Sequence, residues 1–103
     1  VIANNDDMAL GAIDALKTSH LKRADWPVVV GIDGTDVGLA AVASGGMVGT
    51  VYNDKEGQAQ AMLDLAYALS VGDTLDDLNL ENGKYIRLPY SKVGSRDVKN
   101  YMK

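Results

Sequence analysis

Val28-Val29-Val30-Gly31-Ile32-Asp33 is a continuous, largely β-branched run that stops abruptly on a carboxylate. A strand with one wet face alternates apolar and polar residues. This run does not alternate, which predicts a parallel strand covered on both faces. The same pattern stands on either side of it. Val1-Ile2-Ala3 runs into Asn4-Asn5-Asp6, and Met47 to Tyr52 runs into Asn53-Asp54. Each run therefore ends in an amide or acid cluster that opens a helix. In an open parallel α/β sheet such junctions lie at the carboxyl ends of the strands, the edge where these folds hold their ligands. Amides there donate and accept hydrogen bonds, and carboxylates accept several. That chemistry suits a small polyhydroxylated molecule better than a phosphate or an apolar one.

The intervening segments complete βαβ units. Met8, Ala9, Ala12, Ile13 and Leu16 recur at helical spacing across residues 6–18, with Asp14 and Lys17 on the outer side. Asn5 or Asp6 supplies the N-cap, and Asp6 and Asp7 suit the positive end of the helix dipole. After a polar connection, Pro27 starts the second strand. Asp33-Gly34-Thr35-Asp36 turns the chain into a short helix from Val37 to Ser44, stopped by Gly45-Gly46. A longer helix runs from Lys55 to Val71, with Ala59, Met62, Leu63, Ala66 and Leu69 or Ser70 as its inner stripe. Beyond it come an acidic loop from Gly72 to Asp77 and a hairpin signal at Asn82-Gly83, flanked by Leu78 to Glu81 and Lys84 to Leu88. Pro89 demotes the second arm to an edge or crossing segment. Val98 to Lys103 reads as a final helical turn.

Composition narrows the classes of function. The 103 residues are 47% hydrophobic and 23% charged, with no cysteine and no apolar stretch near the ~20 residues that span a bilayer. A net charge of −4 argues against a nucleic-acid or anionic-membrane surface on this segment. Without cysteine there is no disulfide or thiol chemistry.

Asn5, Asp33 and Asn53 are the candidate ligand residues. Each could instead cap a helix. Asp6, Asp36 and Asp54 stand next to or near them and could cap in their place, which would free all three for a shared polar pocket. Other candidates are weaker. Gly31-Ile32-Asp33-Gly34 is not a dinucleotide fingerprint and no Walker lysine follows. His20 is alone in a polar loop, and Ser44, Ser70, Ser91 and Ser95 have neither an elbow motif nor a histidine partner. Asp73, Asp76, Asp77, Asn79 and Glu81 lack the EF-hand pattern and read as a solvated acidic loop. Trp26 starts its strand, at the end opposite the proposed pocket. No acid/base pair joins a nucleophile, so the segment reads as a binder and not an enzyme.

The string from Val1 through Asn4-Asn5-Asp6-Asp7-Met8 to Lys17 resembles the periplasmic galactose/glucose-binding proteins. So do Pro27 to Asp33, Gly49-Thr50-Val51-Tyr52-Asn53-Asp54, Gln58 to Leu69 and Ile86-Arg87-Leu88-Pro89-Tyr90. The resemblance covers nearly the whole chain in order. It implies the α/β fold of a type I periplasmic binding protein: parallel-sheet βαβ units from the C-terminal lobe, plus a helix and crossing segments from the other lobe. On that pattern residues 1–52 belong to the C-terminal sugar-binding lobe, 53–58 cross the hinge, 59–87 belong to the N-terminal lobe, 88–93 cross back, and 94–103 return. The resemblance also implies that Asn5 and Asp33 hydrogen-bond sugar hydroxyls from one lobe and Asn53 from the hinge. It implies capture of a hexose such as galactose or glucose by hinge closure, and delivery to an ABC permease or chemoreceptor. No cofactor is expected in this segment; the family's calcium loop and stacking aromatics match nothing here and would lie upstream. The expected compartment is periplasmic or extracellular, with or without a lipid anchor. The expected partners are the monosaccharide and either an upstream segment or a second copy of the chain, and no nucleic acid. The sugar-effector domain of a transcription repressor shares the Asn-Asp and Gly-Ile-Asp pattern and is the alternative, followed by a stand-alone α/β interaction module.

Overall fold

The computed structural model describes residues 1–72, 78 and 80–102. The acidic-loop reading at residues 73–77, and Asn79 with it, lies outside the described residues. The chain divides into two compact units, Val1–Asn53 with Tyr90–Lys103, and Asp54–Pro89.

In the first unit the three apolar runs lie parallel. Ile2 bridges Val30, Val30 bridges Gly49, and Asp33 bridges Tyr52. The bonds that hold them run from Ala3 N–H to Val30 O (3.0 Å), Val30 N–H to Val1 O (3.0 Å) and Asp33 N–H to Val51 O (2.8 Å). Residues 28–33 are therefore the middle segment, between residues 1–3 and strand β1 (Gly49–Tyr52). Strand β2 (Ser91–Gly94) pairs antiparallel with β1, from Gly49 opposite Gly94 to Tyr52 opposite Ser91. Sequence reading split this strand between a crossing and a tail. Ser-Lys-Val-Gly carries one β-branched residue and no signal of its own, so only the free edge of β1 makes it a strand.

Helices α1 (Asp6–Lys17) and α2 (Asp36–Ser44) are the crossovers between the parallel segments. Both crossovers step in the same direction along the sheet, and right-handed connections then put both helices on one face. That face is the core: Ala9 and Ile13 of α1, Leu39 and Val42 of α2, with Ala3, Val29, Met47, Val93 and Val98. Fully burying an aliphatic side chain of this kind stabilises the fold by roughly 1.5–3 kcal/mol. Gly45, at φ 87°, ends α2 in the left-handed conformation that favours glycine. A 3₁₀ turn at Val98–Asn100 stands where the final helical turn was expected.

The expectation of a strand covered on both faces is corrected. Val29 is 2% exposed, whereas Val28 is 60% and Ile2 86% exposed. The unbroken apolar run reflects a sheet with two apolar faces, of which α1 and α2 cover one.

In the second unit α3 (Lys55–Ser70) is capped by Asp54, whose carboxylate accepts from Gly57 N–H at 3.0 Å. Its inner stripe also differs from expectation. Gln58, Ala61 and Leu65 are half-buried and Ala68 is buried, while Ala59, Met62, Leu63, Ala66, Leu69 and Ser70 are exposed. The helix is apolar on more than one side, so periodicity alone did not select the covered side. Asn82 and Gly83 do form a turn, both at positive φ. Among the described residues its two arms share one backbone bridge, Glu81 and Tyr85, which exchange bonds of 2.7 and 3.0 Å across three intervening residues. A three-residue loop with a single bridge replaces the two-residue hairpin expected. Among the described residues no helix is long and apolar enough to cross a membrane.

Candidate functional site

The three junctions meet at the carboxyl edge of the parallel segments. Asp6 N–H donates to Ile32 O at 2.8 Å, which sets Asn5 beside the end of the middle segment. On the other side Asn53 N–H donates to Asp33 O, also at 2.8 Å. Asn5, Asp33 and Asn53 thus stand in a row along one edge, and all three are half-buried.

The helix caps are shared out differently from the sequence expectation. Asn5 does cap α1: its Oδ1 accepts from Met8 N–H at 2.9 Å. Its side-chain N–H₂ supplies two further donors. Asp33 caps nothing, because Thr35 caps α2 through Oγ1, which accepts from Gly38 N–H at 3.1 Å. Asn53 does not cap α3, since Asp54 does.

Asp33 has φ 127°, a region that side-chain-bearing residues rarely adopt. Strain of this kind costs on the order of 1–3 kcal/mol and persists only where the surroundings fix it. Here both backbone groups of Asp33 are fixed, the N–H to Val51 O and the carbonyl by Asn53 N–H. The next residue, Gly34, is also at positive φ, 73°, and any Cβ there would meet Tyr52 Cδ2 at 2.7 Å. The Tyr52 ring in turn lies 5.1 Å from that of Tyr101.

Sequence reading missed Asp6. Its position suggests a cap or a dipole acid, yet it is fully buried, and Asn5 caps the helix instead. Its Oδ2 accepts from Gly34 N–H (2.9 Å), Thr35 N–H (2.9 Å) and Thr35 Oγ1 (3.3 Å). Its Oδ1 accepts from Thr50 Oγ1 at 2.6 Å. A buried carboxylate is tolerated only with such partners. Gly31 and Gly38 enclose it so closely that a Cβ at either position would overlap its oxygens. Glycines at 31 and 38 and a threonine at 50 were the only traces of this in the sequence, and they are legible only once the three junctions are known to meet.

The remaining candidates stay outside the site. His20 is exposed. Trp26 packs against the core, donates Nε1–H to Leu21 O at 3.2 Å and carries the Arg23 guanidinium 4.6 Å above its ring. Among the described residues no group of three or more His, Cys, Asp or Glu could hold a metal ion.

A parallel α/β edge that presents an amide, a strained acid and a second amide has the form expected of one wall of a polar-ligand site. The comparisons agree with that class. Residues 1–74 match the family model described as a periplasmic binding protein domain. The chain is 46% identical over 76 residues to a putative rhizopine-binding protein from Rhizobium meliloti, covering 74% of this chain and 24% of that protein. It is 31% identical to the D-galactose/methyl-galactoside binding periplasmic protein of Haemophilus influenzae, across 100% of this chain and 30% of that protein. An ABC transporter solute binding protein from Bacillus halodurans, solved with bound myo-inositol, superimposes with a TM-score of 0.76 at 34% identity, covering 98% of this chain and 32% of that one. This chain belongs to the periplasmic binding protein domain family, and its fold is that of the type I members. It spans less than a third of the length of these relatives.

Proposed function

We propose that this chain forms part of an extracytoplasmic solute-binding protein that captures a monosaccharide or a comparable polyol and hands it to an ABC permease or chemoreceptor. The observation that carries this is the row Asn5, Asp33, Asn53 at one sheet edge, with Asp33 held at φ 127° and released from helix capping. A carboxylate that accepts from two adjacent ring hydroxyls makes charge-assisted bonds, about twice as strong as neutral ones. Asn5 adds donors beside it, and Asn53 stands at the last residue before the chain leaves the first unit. One carboxylate and two amides are groups suited to hydrogen-bonding hydroxyls, which supports a binding role.

The chain path supports a closure mechanism. The backbone leaves the first unit after Asn53 and re-enters it at Tyr90. These crossings support a two-lobed protein in which a ligand that touches both lobes favours the closed state. The exposed sheet face at Ile2 and Val28 fits a longer polypeptide whose remaining segments cover it. Galactose and glucose are the hexoses the motifs favour. The relatives named for rhizopine, galactoside and myo-inositol make the wider polyol class the ligand set to assay.

Calorimetric titration of the full-length protein with D-galactose, D-glucose and myo-inositol tests the proposal. Saturable one-to-one binding of one of them, lost in Asp33→Ala, is the expected result. Micromolar affinity retained in Asp33→Ala would remove Asp33 from the site.

A further inference from the structure

We infer that Asp6 is the positioning residue of this ligand site, a buried carboxylate that holds the Asp33 turn in its strained shape so that Asp33 and Asn5 face one ligand. The inference rests on the ligand-site reading above and adds a residue that would itself touch no ligand.

The geometry is specific. Asp6 belongs to the first turn of α1, directly after Asn5, so its backbone is tied to one candidate ligand residue. Its Oδ2 takes the N–H groups of Gly34 and Thr35, the two residues directly after the other. Its Oδ1 takes the hydroxyl of Thr50, on the strand that leads to the third. One side chain thus spans all three junctions. Asp33 itself is held by two backbone bonds, its N–H donating to Val51 O and its carbonyl accepting from Asn53 N–H, and these do not reach the turn that follows.

The ladder bonds fix the two peptide groups of Asp33. A turn that directs the next two N–H groups inward, onto one oxygen, constrains it further. Gly31 and Gly38 leave space for this carboxylate and no more, so Asp6 has one available position. The amide of asparagine would fill the same volume. It would however lose the charge that strengthens these four bonds, and its N–H₂ would either oppose the Gly34 and Thr35 amides or force the Thr50 hydroxyl to turn and accept. Asp6→Asn is therefore a nearly isosteric way to weaken the hold on the turn.

The test is a double-mutant cycle on the full-length protein, titrated with whichever of D-galactose, D-glucose and myo-inositol binds the wild type. Asp6→Asn is expected to weaken binding tenfold or more, with the far-ultraviolet circular dichroism unchanged. In the Asp33→Asn background the same change is expected to cost less than threefold, because the residue it positions has already lost its charge. A purely structural role would give equal factors in both backgrounds, and that result overturns the inference. So does wild-type affinity in Asp6→Asn. A second readout needs no ligand: the three-bond amide coupling of Asp33 reports its φ, and it is expected to move toward the extended value in Asp6→Asn. An unchanged coupling overturns the inference even if the binding site proves to lie elsewhere. Conversely, a shifted coupling combined with full affinity in Asp33→Asn sustains the positioning of the turn and refutes the ligand-site reading. Should Asp6→Asn fail to fold, Thr50→Val removes one hydroxyl from Oδ1 and is expected to shift the coupling the same way and weaken binding severalfold. No change in either overturns the inference.

Discussion

Replacing Asp33 by glycine should make the protein more stable than replacing it by alanine, while both changes remove ligand affinity. The φ of 127° is costly for any residue with a Cβ, by about 1–3 kcal/mol. Asp33→Ala keeps that cost and loses only the carboxylate. Asp33→Gly relieves it, but adds backbone freedom to the unfolded chain, worth about 0.5–1 kcal/mol. The glycine variant should therefore exceed the alanine variant by about 1 kcal/mol, and for a domain of this size that moves Tm by roughly 4–8 °C. Binding falls in both variants alike, because each lacks the carboxylate. Two hydroxyls that lose a charged acceptor forfeit about 1.5–3 kcal/mol each, so the loss is on the order of a hundredfold to ten-thousandfold. Thermal melts of wild type, Asp33→Ala and Asp33→Gly, with calorimetric titration of each, give both quantities. A glycine variant that melts at or below the alanine variant would refute the argument that Asp33 is held under strain. Equal affinity in all three would refute the argument that the strain serves a ligand.

Gly38→Ala puts a methyl group against the Asp6 carboxylate and should destabilise the chain by about 1–3 kcal/mol, the usual effect of overpacking, measured by urea unfolding. Asn5→Ala should lower stability by about 1 kcal/mol through the lost cap and also weaken binding, because Asn5 serves both purposes. Unchanged affinity in that variant would leave it a cap and nothing else. Leu63→Glu, on the exposed side of α3, should change the stability of this chain by no more than about 0.5 kcal/mol in either direction. A larger loss in the full-length protein than in this chain alone would mark that side of the helix as covered there.

The parts of the fold that were legible share one physical origin. The ends of the three apolar runs are fixed by local chemistry: β-branched residues stop, Asn or Asp begins, and a helix with its own periodicity follows. Local signals of that kind gave the parallel order, all three main helices and the row of Asn5, Asp33 and Asn53. What was not legible depends on which surfaces meet. Strand β2 exists only because the edge of β1 is available to pair with it. The covered stripe of α3 could not be chosen while the helix had apolar residues on several sides. The middle segment looked doubly covered because its apolar pattern is the same whether a second layer is present or not.

Asp6 belongs to the second group, and it changes how the site is understood. Sequence reasoning credited each junction with one ligand residue and one spare acid for the cap. The structure assigns the caps to Asn5, Thr35 and Asp54, and uses the first acid to bind the junctions to one another. The number of polar residues at the edge was therefore no guide to the number available for a ligand. An acid buried to zero exposure and met by four donors contributes to a site through the residues it fixes. That is why a strained, uncapped carboxylate at Asp33 and a fully satisfied one at Asp6 occur together. On the proposed function the first accepts from a ligand's hydroxyls, and the second keeps it oriented until they arrive.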